Sequence, residues 1–371
     1  MGLRHLFYQL AIYLAACSAF FQPTIVRAEE SVSIGILASL SDEWAAVGKN
    51  IVRGAEIARD ELNSSAGLGK PIRLVIEDTR EANSGATAVS AYRNLRQRGV
   101  TIFVGPVGAP AGMSLAPIVA KEPVVMITPV VGVRDFSDAA PNIFNARGVD
   151  ESSSRTMARF AIQRGWKRAG ILSSQQPWES AQGNAFRDEF TRLGGVVAAL
   201  EEPLPDASDL KTPIAKVLQA KPDVIFLSNA NRLALAARQI KAAGYEGPKL
   251  AALLDQSLVE QSQGTLEGTR FAAFGSPTPD FKQRFADRYK EAPGLGADTG
   301  YDAVMAIGLA MKQTRSSSPE RVVPALATIQ FPGASEPFAF DADRIAKRSL
   351  ARFIVRDGLI VEDPADSSRG R

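Results

Sequence analysis

The sequence predicts an α/β protein made of two doubly wound parallel-sheet lobes. Three observations carry that prediction. Short β-rich runs alternate with amphipathic segments along most of the 371 residues, which is the pattern of parallel sheets with helices on both faces. The pattern pauses at a loop around residues 131–142 and then starts again, which implies a second sheet. Runs such as Val224-Ile225-Phe226-Leu227 are apolar on both sides, as buried parallel strands are. With 45% apolar residues, the chain is long enough for two cores, since single cores stop growing beyond about 250–300 residues.

The elements follow in order. Residues 32–38 form an apolar run of strand length. From Trp44 to Leu62, apolar residues recur at Val47, Ile51, Ala55, Ala58 and Leu62, one face of a helix. A Gly67-Leu68-Gly69 turn leads to a strand over 72–76, a helix over 86–96, a strand over 101–104, a helix over 110–120 and a strand over 124–127. In the second half, helices are expected over 152–163, 181–193, 209–218 and 232–242, the last ended by Gly244. Strands are expected over 169–172, 196–200, 223–227 and 250–254. Helices over 281–289 and 301–311 and strands over 336–340 and 351–355 complete the series.

The N-terminus reads as a leader. Arg4 and His5 precede an apolar run from Leu6 to Phe21, and Val26-Arg27-Ala28 makes an A-x-A-like end. Residues 1–28 are expected to be a signal peptide cleaved before Glu29. Leu14-Ala15-Ala16-Cys17 offers a competing cut that would lipidate Cys17 and tether the protein to a membrane. Residues 363–371 read as a frayed tail.

Composition excludes several chemistries. Cys17 is the single cysteine and His5 the single histidine. Both lie in the leader, so the mature chain offers no disulfide, thiol nucleophile or imidazole, and neither Ser-His-Asp nor Cys-His catalysis is open to it. Zinc sites built on those ligands are excluded too. The formal charge of +3 falls to +1 without the leader's two arginines, which leaves no electrostatic footprint for nucleic acid. No P-loop, no G-x-G-x-x-G after a strand and no G-x-S-x-G is present. A hydrolase would have to pair carboxylates, such as Asp78 with Asp255. No cofactor is expected, and the chain is not expected to be an enzyme.

Linked motifs carry a family resemblance over roughly residues 32–340. Ile34-Gly35-Ile36-Leu37 runs into Gly48 and then Gly54-Ala55-Glu56-Ile57-Ala58. Leu74-Val75-Ile76-Glu77-Asp78, Gly105-Pro106-Val107 and Pro123-Val124-Val125-Met126-Ile127-Thr128-Pro129 follow. Pro222-Asp223-Val224-Ile225-Phe226, Glu267-Gly268 and Tyr301-Asp302-Ala303 come later. In that order and spacing the chain resembles periplasmic binding proteins of the leucine/isoleucine/valine-binding type, the receptors of ABC importers. The resemblance implies two lobes joined by three crossovers, near Asn145, Gly275 and Phe338. Lobe 1 would comprise residues 29–145 and 276–337, and lobe 2 residues 146–275 and 338–362. It further implies a monomer in the periplasm that traps a small organic solute between its lobes, with a membrane permease as its partner and no nucleic acid. An amino acid, a related small carboxylate or an aromatic compound is the expected solute. The other reading is a ligand sensor or envelope scaffold with the same fold and a degenerate pocket.

The resemblance also implies where the ligand sits. The loops after Gly105-Pro106 and Thr128-Pro129 would hold a carboxylate on backbone N–H groups, at Gly108, Ala109, Val130 and Gly132. The side-chain hydroxyls usual at the Ala109 and Gly132 positions are missing. Trp178 stands where a tyrosine is common, and Trp44 lies near another such position. Asp255 is the nearest match to the family's acidic partner for an amino group. Asn229 and Asn231 replace the aromatic usual on the loop after Leu227. Each also has a plainer reading. Trp178 and Trp44 can be core packing, Asp255 a helix cap, Asn229 and Asn231 turn formers, and Thr128-Pro129 a strand stop. The arginines of residues 93–98 read as a solvated helix face, with permease docking as the alternative.

Overall fold

The computed structural model describes residues 31–81 and 84–363. The leader, the lipidation motif at Cys17 and the tail beyond Asp363 lie outside the described residues. Among the described residues no helix is long and apolar enough to cross a membrane, and no cluster of three His, Cys, Asp or Glu side chains could hold a metal ion.

The first sheet is wholly parallel. Its strands are β1 (Val32–Ala38), β2 (Ile72–Asp78), β3 (Ile102–Val104), β4 (Val125–Thr128) and β5 (Ile143–Asn145), in the order β2-β1-β3-β4-β5. Register is set between central apolar residues, with Ile34 opposite both Leu74 and Ile102, and Met126 opposite Ile143. Helices α1 (Ala45–Ser64), α2 (Ala86–Gln97) and α3 (Ala109–Val119) connect the strands, and a short α4 (Arg134–Asp138) lies in the loop before β5. Arg96 and Arg98, of the basic run on α2, are tied to Glu122 and Glu77 at 2.6 and 2.8 Å.

The second sheet is built by β6 (Arg168–Leu172), β7 (Val196–Glu201), β8 (Val224–Leu227), β9 (Lys249–Ala251), β10 (Arg270–Phe274), β13 (Leu350–Arg356) and β14 (Leu359–Glu362). Their order is β14-β13-β10-β9-β8-β6-β7. The helices of this lobe are α5 (Glu151–Gln163), α6 (Pro177–Arg192), α7 (Lys211–Gln219), α8 (Leu233–Ala242) and α9 (Gln256–Gln261). The parallel part matches the sequence pattern, but one edge does not: β10 and β13 pair antiparallel, as do β13 and β14. Asp357 and Gly358, both with positive φ (53° and 75°), close the last hairpin, the Asp-Gly turn that matches strand twist. α6 starts at Pro177, several residues before the expected start. Proline at the first helical position and the Gln176 side chain accepting from Glu179 N (2.9 Å) account for that.

The late helices return to the first lobe. α10 (Pro279–Tyr289), α11 (Ala297–Thr314) and α12 (Pro319–Leu326) pack in one core with β1, β3, β4 and α1. α11 lies directly on α1. A Cβ on Gly54 would sit 1.9 Å from Ala297 O, and one on Gly300 would sit 2.6 Å from Ile51 O, so the two backbones meet only because both positions are glycine. The small antiparallel pair β11 (Gln330–Pro332) and β12 (Pro337–Ala339) joins the same core through Phe338, as do Phe340 and Ala346. The return to the second sheet therefore falls between Ala346 and Leu350, later than the expected crossing near Phe338. Aromatic stacking holds these residues back: Phe338 packs on Phe331 and Phe340, which in turn meets Phe144 of β5. Arg348, in this last crossing, forms a buried ion pair with Asp302 (2.7 Å) and donates to Ala146 O in the first crossing (3.0 Å).

Candidate functional site

The C-terminal ends of β3, β4, β6 and β8 point their loops at a cavity where the lobes meet, the usual place for a ligand in open α/β sheets. It encloses about 550 Å³ of empty space, part of it open to solvent. One wall comes from the first lobe: Trp44 at the start of α1, Val107 to Ala109 after β3, and Val130 to Gly132 after β4. The other comes from the first crossing and the second lobe: Arg147 and Asp150, Gln176, Trp178 and Glu179 at the head of α6, and Ala230 and Asn231 after β8. Leu253 and Leu295 flank the mouth, and Leu295 is 38% exposed.

Seven of the expected residues meet there: Trp44, Gly108, Ala109, Val130, Gly132, Trp178 and Asn231. Three do not line the cavity. Thr128 is fully buried, donates to Pro106 O (3.1 Å) and accepts from Val130 N (3.3 Å) and Val131 N (2.9 Å). It shapes the loop, and it occupies one of the four amides that the resemblance assigned to a ligand, that of Val130. Asn229 is buried behind Asn231, with no hydrogen-bond partner for its amide among the described residues. Asp255 is exposed and caps α9, accepting from Leu258 N at 2.8 Å. Asp78 does not line the cavity either. It accepts from Leu40 N (2.8 Å) and Arg80 N (3.2 Å), so the carboxylate pair considered for a hydrolase is not assembled in the cavity.

A polar network not expected from the sequence crosses the cavity floor. Asp150 Oδ2 accepts from Trp178 Nε1 (2.8 Å), and Oδ1 accepts from Arg147 Nε (3.0 Å). Arg147 and Asp150 are only 13% and 10% exposed, so the pair is largely desolvated. Asn145 Oδ1 accepts from Arg147 N and Gly148 N and fixes the turn that carries the arginine. Among the described residues, neither terminal nitrogen of Arg147 has a hydrogen-bond partner. The guanidinium also lies over the Phe274 ring, 5.5 Å from its centroid. A Cβ on Gly132 would fall 1.9 Å from Asp150 Oδ2, so the missing hydroxyl residue at position 132 and the presence of Asp150 are one steric fact.

Two buried glutamates flank the cavity. Glu179 is 2% exposed, accepts from Asn231 N (2.9 Å), and takes a short hydrogen bond from Ser174 Oγ. Burial raises its carboxyl above the ordinary glutamate value, although its hydrogen bonds oppose that. Glu81, fully buried beneath the β3 loop, accepts from Thr79 Oγ1 (2.7 Å), Val107 N (3.0 Å) and Gly108 N (3.0 Å). Burial pushes its carboxyl up to about 7 against those three donors.

Two α/β lobes, three crossings and a cavity at their junction define a two-lobed binding protein. The family described as periplasmic binding protein matches residues 31–358, and the chain belongs to it. A Leu/Ile/Val-binding protein, BraC3 of Rhizobium johnstonii, is 25% identical over 203 residues, 54% of each chain. The chain thus spans about half the length of that curated relative. A leucine-binding protein from Thermotoga maritima superposes with a TM-score of 0.79 at 24% identity, covering 90% of this chain and 98% of that one. A solute-binding protein of an ABC transporter from R. palustris, solved in complex with benzoate, superposes at 0.76 with 20% identity, covering 90% and 95%. At these identities the solved structures speak for the fold.

Proposed function

We propose that the chain is an exported solute receptor, not an enzyme, that holds a small aromatic carboxylate in the cleft and delivers it to the permease of an ABC importer. Removal of residues 1–28, or lipidation at Cys17, would place it in the periplasm free or tethered. The observation that carries the ligand class is Arg147. Its Nε is committed to Asp150, while its two terminal nitrogens are open to a carboxylate in the bidentate manner. It lines a cavity with Trp44 and Trp178, whose other lining groups are largely aliphatic, a suitable bed for a planar ring. The benzoate complex of the R. palustris relative supports the same class. Ligand bridging both walls would favour the closed arrangement of the lobes, and closure is what a permease would read.

Calorimetric titration of the mature protein with benzoate, 4-hydroxybenzoate, phenylalanine and leucine tests this. The benzoates are expected to bind, and Arg147→Gln to weaken them by about a hundredfold. Binding of leucine but not the benzoates, or unchanged benzoate binding in folded Arg147→Gln, overturns the ligand class.

A further inference from the structure

We propose that Glu81 is a specificity-determining residue: its carboxylate fills the amide cradle in the first-lobe wall and denies those amides to the carboxylate of a solute. The amides of Val107 and Gly108 belong to residues that line the cavity. Neither donates to a distant backbone carbonyl or faces water. Each donates to one oxygen of the same carboxylate, Val107 N to Oε1 and Gly108 N to Oε2, both at 3.0 Å. Two parallel N–H groups on the two oxygens of one carboxylate is the geometry by which backbone binds a free carboxylate. Thr79 Oγ1 adds a third donor at 2.7 Å, and Ser39 Oγ accepts from Glu81 N at 3.3 Å. Glu81, Thr79 and Ser39 are each fully buried, so the side chain is locked in this pose and solvent does not compete for it.

The loop after β4 is partly satisfied in a similar way. Val131 N is taken by Thr128 Oγ1 at 2.9 Å, and the carboxylate of Asp150 lies against the Cα of Gly132. A solute carboxylate brought to this wall would find Val107 N and Gly108 N already taken by Glu81, and Val131 N by Thr128. Glu81 therefore turns a wall suited to the carboxylate of an amino acid into one suited to the neutral part of the solute. The solute's charge is then sent across the cleft to Arg147. This second step rests on the reading of the cleft as the solute site; the occupancy of the amides by Glu81 does not.

The test uses the mature chain with Glu81→Ala. The substitution removes the carboxylate and leaves a space that acetate matches. Melting temperature is followed against sodium acetate, with sodium chloride at the same ionic strength as reference. The expected result is a saturable rise of about 2 °C or more in Glu81→Ala and none in the wild type. A second arm titrates leucine and benzoate calorimetrically. The ratio of leucine to benzoate affinity is expected to rise about tenfold or more in Glu81→Ala, a change that loss of a merely structural contact would not produce. Equal acetate responses in the two proteins, or none in either, overturn the proposal. If Glu81→Ala does not fold, the wild-type amide resonances of Val107 and Gly108 are followed with pH. They are expected to titrate together with one midpoint, and that titration is expected to vanish in Glu81→Gln. Independent or unchanged behaviour overturns the proposal as well. Failure of every solute to bind the wild type would sink the aromatic-carboxylate reading while leaving the acetate arm decisive for Glu81.

Discussion

The two walls of the cleft come from the same kind of sheet edge and do different work. In the first-lobe wall the polarity is backbone, and the protein itself takes up part of it: Glu81 takes Val107 N and Gly108 N, and Thr128 takes Val131 N. The side chains it turns to the cavity are apolar: Trp44, Val107, Ala109, Val130 and Val131. In the opposite wall the polarity is side chain, carried by Arg147, Asp150, Gln176, Glu179 and Asn231, and part of it is unspent. A backbone cradle is general, since every residue brings an N–H, whereas a guanidinium is a choice of residue. A wall with filled amides and a wall with an open arginine together imply that ligand charge is read on one side and ligand shape on the other.

The largest expected effect breaks that asymmetry at its charged end. Arg147→Ala removes the open guanidinium and strands Asp150 beside the Trp178 indole. Truncating one member of a buried charge pair costs about 2–5 kcal/mol, so affinity for an aromatic carboxylate should fall between about thirtyfold and several-thousandfold by calorimetry. Arg147→Lys should recover only part of it, because an ammonium cannot serve Asp150 and a ligand in the same plane. Equal affinity in wild type and Arg147→Ala would show that the charge is read elsewhere.

The next effect belongs to the filled wall and is read through pH. A carboxyl raised by burial favours the unfolded state as pH rises, because the unfolded chain releases its proton first. For Glu81 the window runs from the ordinary value of 4.5 to about 7. Stability from this group is full below the window, falls through it, and is constant above. The drop amounts to about 3 kcal/mol. Glu179 and Asp302 are raised by burial too, Asp302 to about 7, so the total slope is not diagnostic. The difference between wild type and Glu81→Gln is. From pH 4.5 to 7.5, urea unfolding should show that difference moving about 3 kcal/mol in favour of the variant. A difference that stays flat with pH would mean that Glu81 is ionised throughout.

A smaller effect probes the contact between the walls. Gly132→Thr puts a side chain where Asp150 Oδ2 now lies, since even a Cβ would be 1.9 Å away. Forced overpacking costs about 1–3 kcal/mol. The carboxylate must move, and its bond to Trp178 Nε1 breaks. Loss of about tenfold in aromatic-carboxylate affinity is expected, with a changed Trp178 fluorescence maximum. Unchanged emission and affinity would show that Asp150 does not position the indole.

How much of this was legible in the sequence differs between the walls as well. Strand β1 was read residue for residue, because a run buried on both faces announces itself by composition. The residues expected after β3 and β4 line the cavity because the loops follow the strands directly. That Glu81 would take two of the amides there was not legible, because nothing in its local sequence pattern points to that loop. β5 was missed since its three residues are too few for a period. β14 was missed although Asp357-Gly358 between two apolar runs is a hairpin signal. On the opposite wall, Trp178 was singled out because it stands where the family commonly has a tyrosine, but Arg147 and Asp150 were not. Their spacing of three residues within the first crossing was the one available sign. Leu253 and Leu295 join the mouth by folding alone.

The smallest expected effect concerns a residue the sequence placed on the ligand and the fold places outside the cavity. Asp255 is exposed, its backbone is extended (φ −127°, ψ 170°), and its Oδ1 accepts from Leu258 N at 2.8 Å, the arrangement of a helix N-cap. Asp255→Ala removes that acceptor and leaves an N–H at the head of α9 to water, which costs about 1 kcal/mol. For a protein of this size that is about 1–2 °C in melting temperature. Asp255→Asn should retain most of the lost stability, because the cap needs an oxygen and not a charge. Affinity for any solute should be the same in all three proteins. If Asp255→Ala instead leaves the melting temperature unchanged and abolishes binding of a solute that carries an amino group, the cleft closes further than it does here and Asp255 reaches the ligand. The charge of the solute would then be read at two places on the same side, and the division between a shape wall and a charge wall would hold more strictly still.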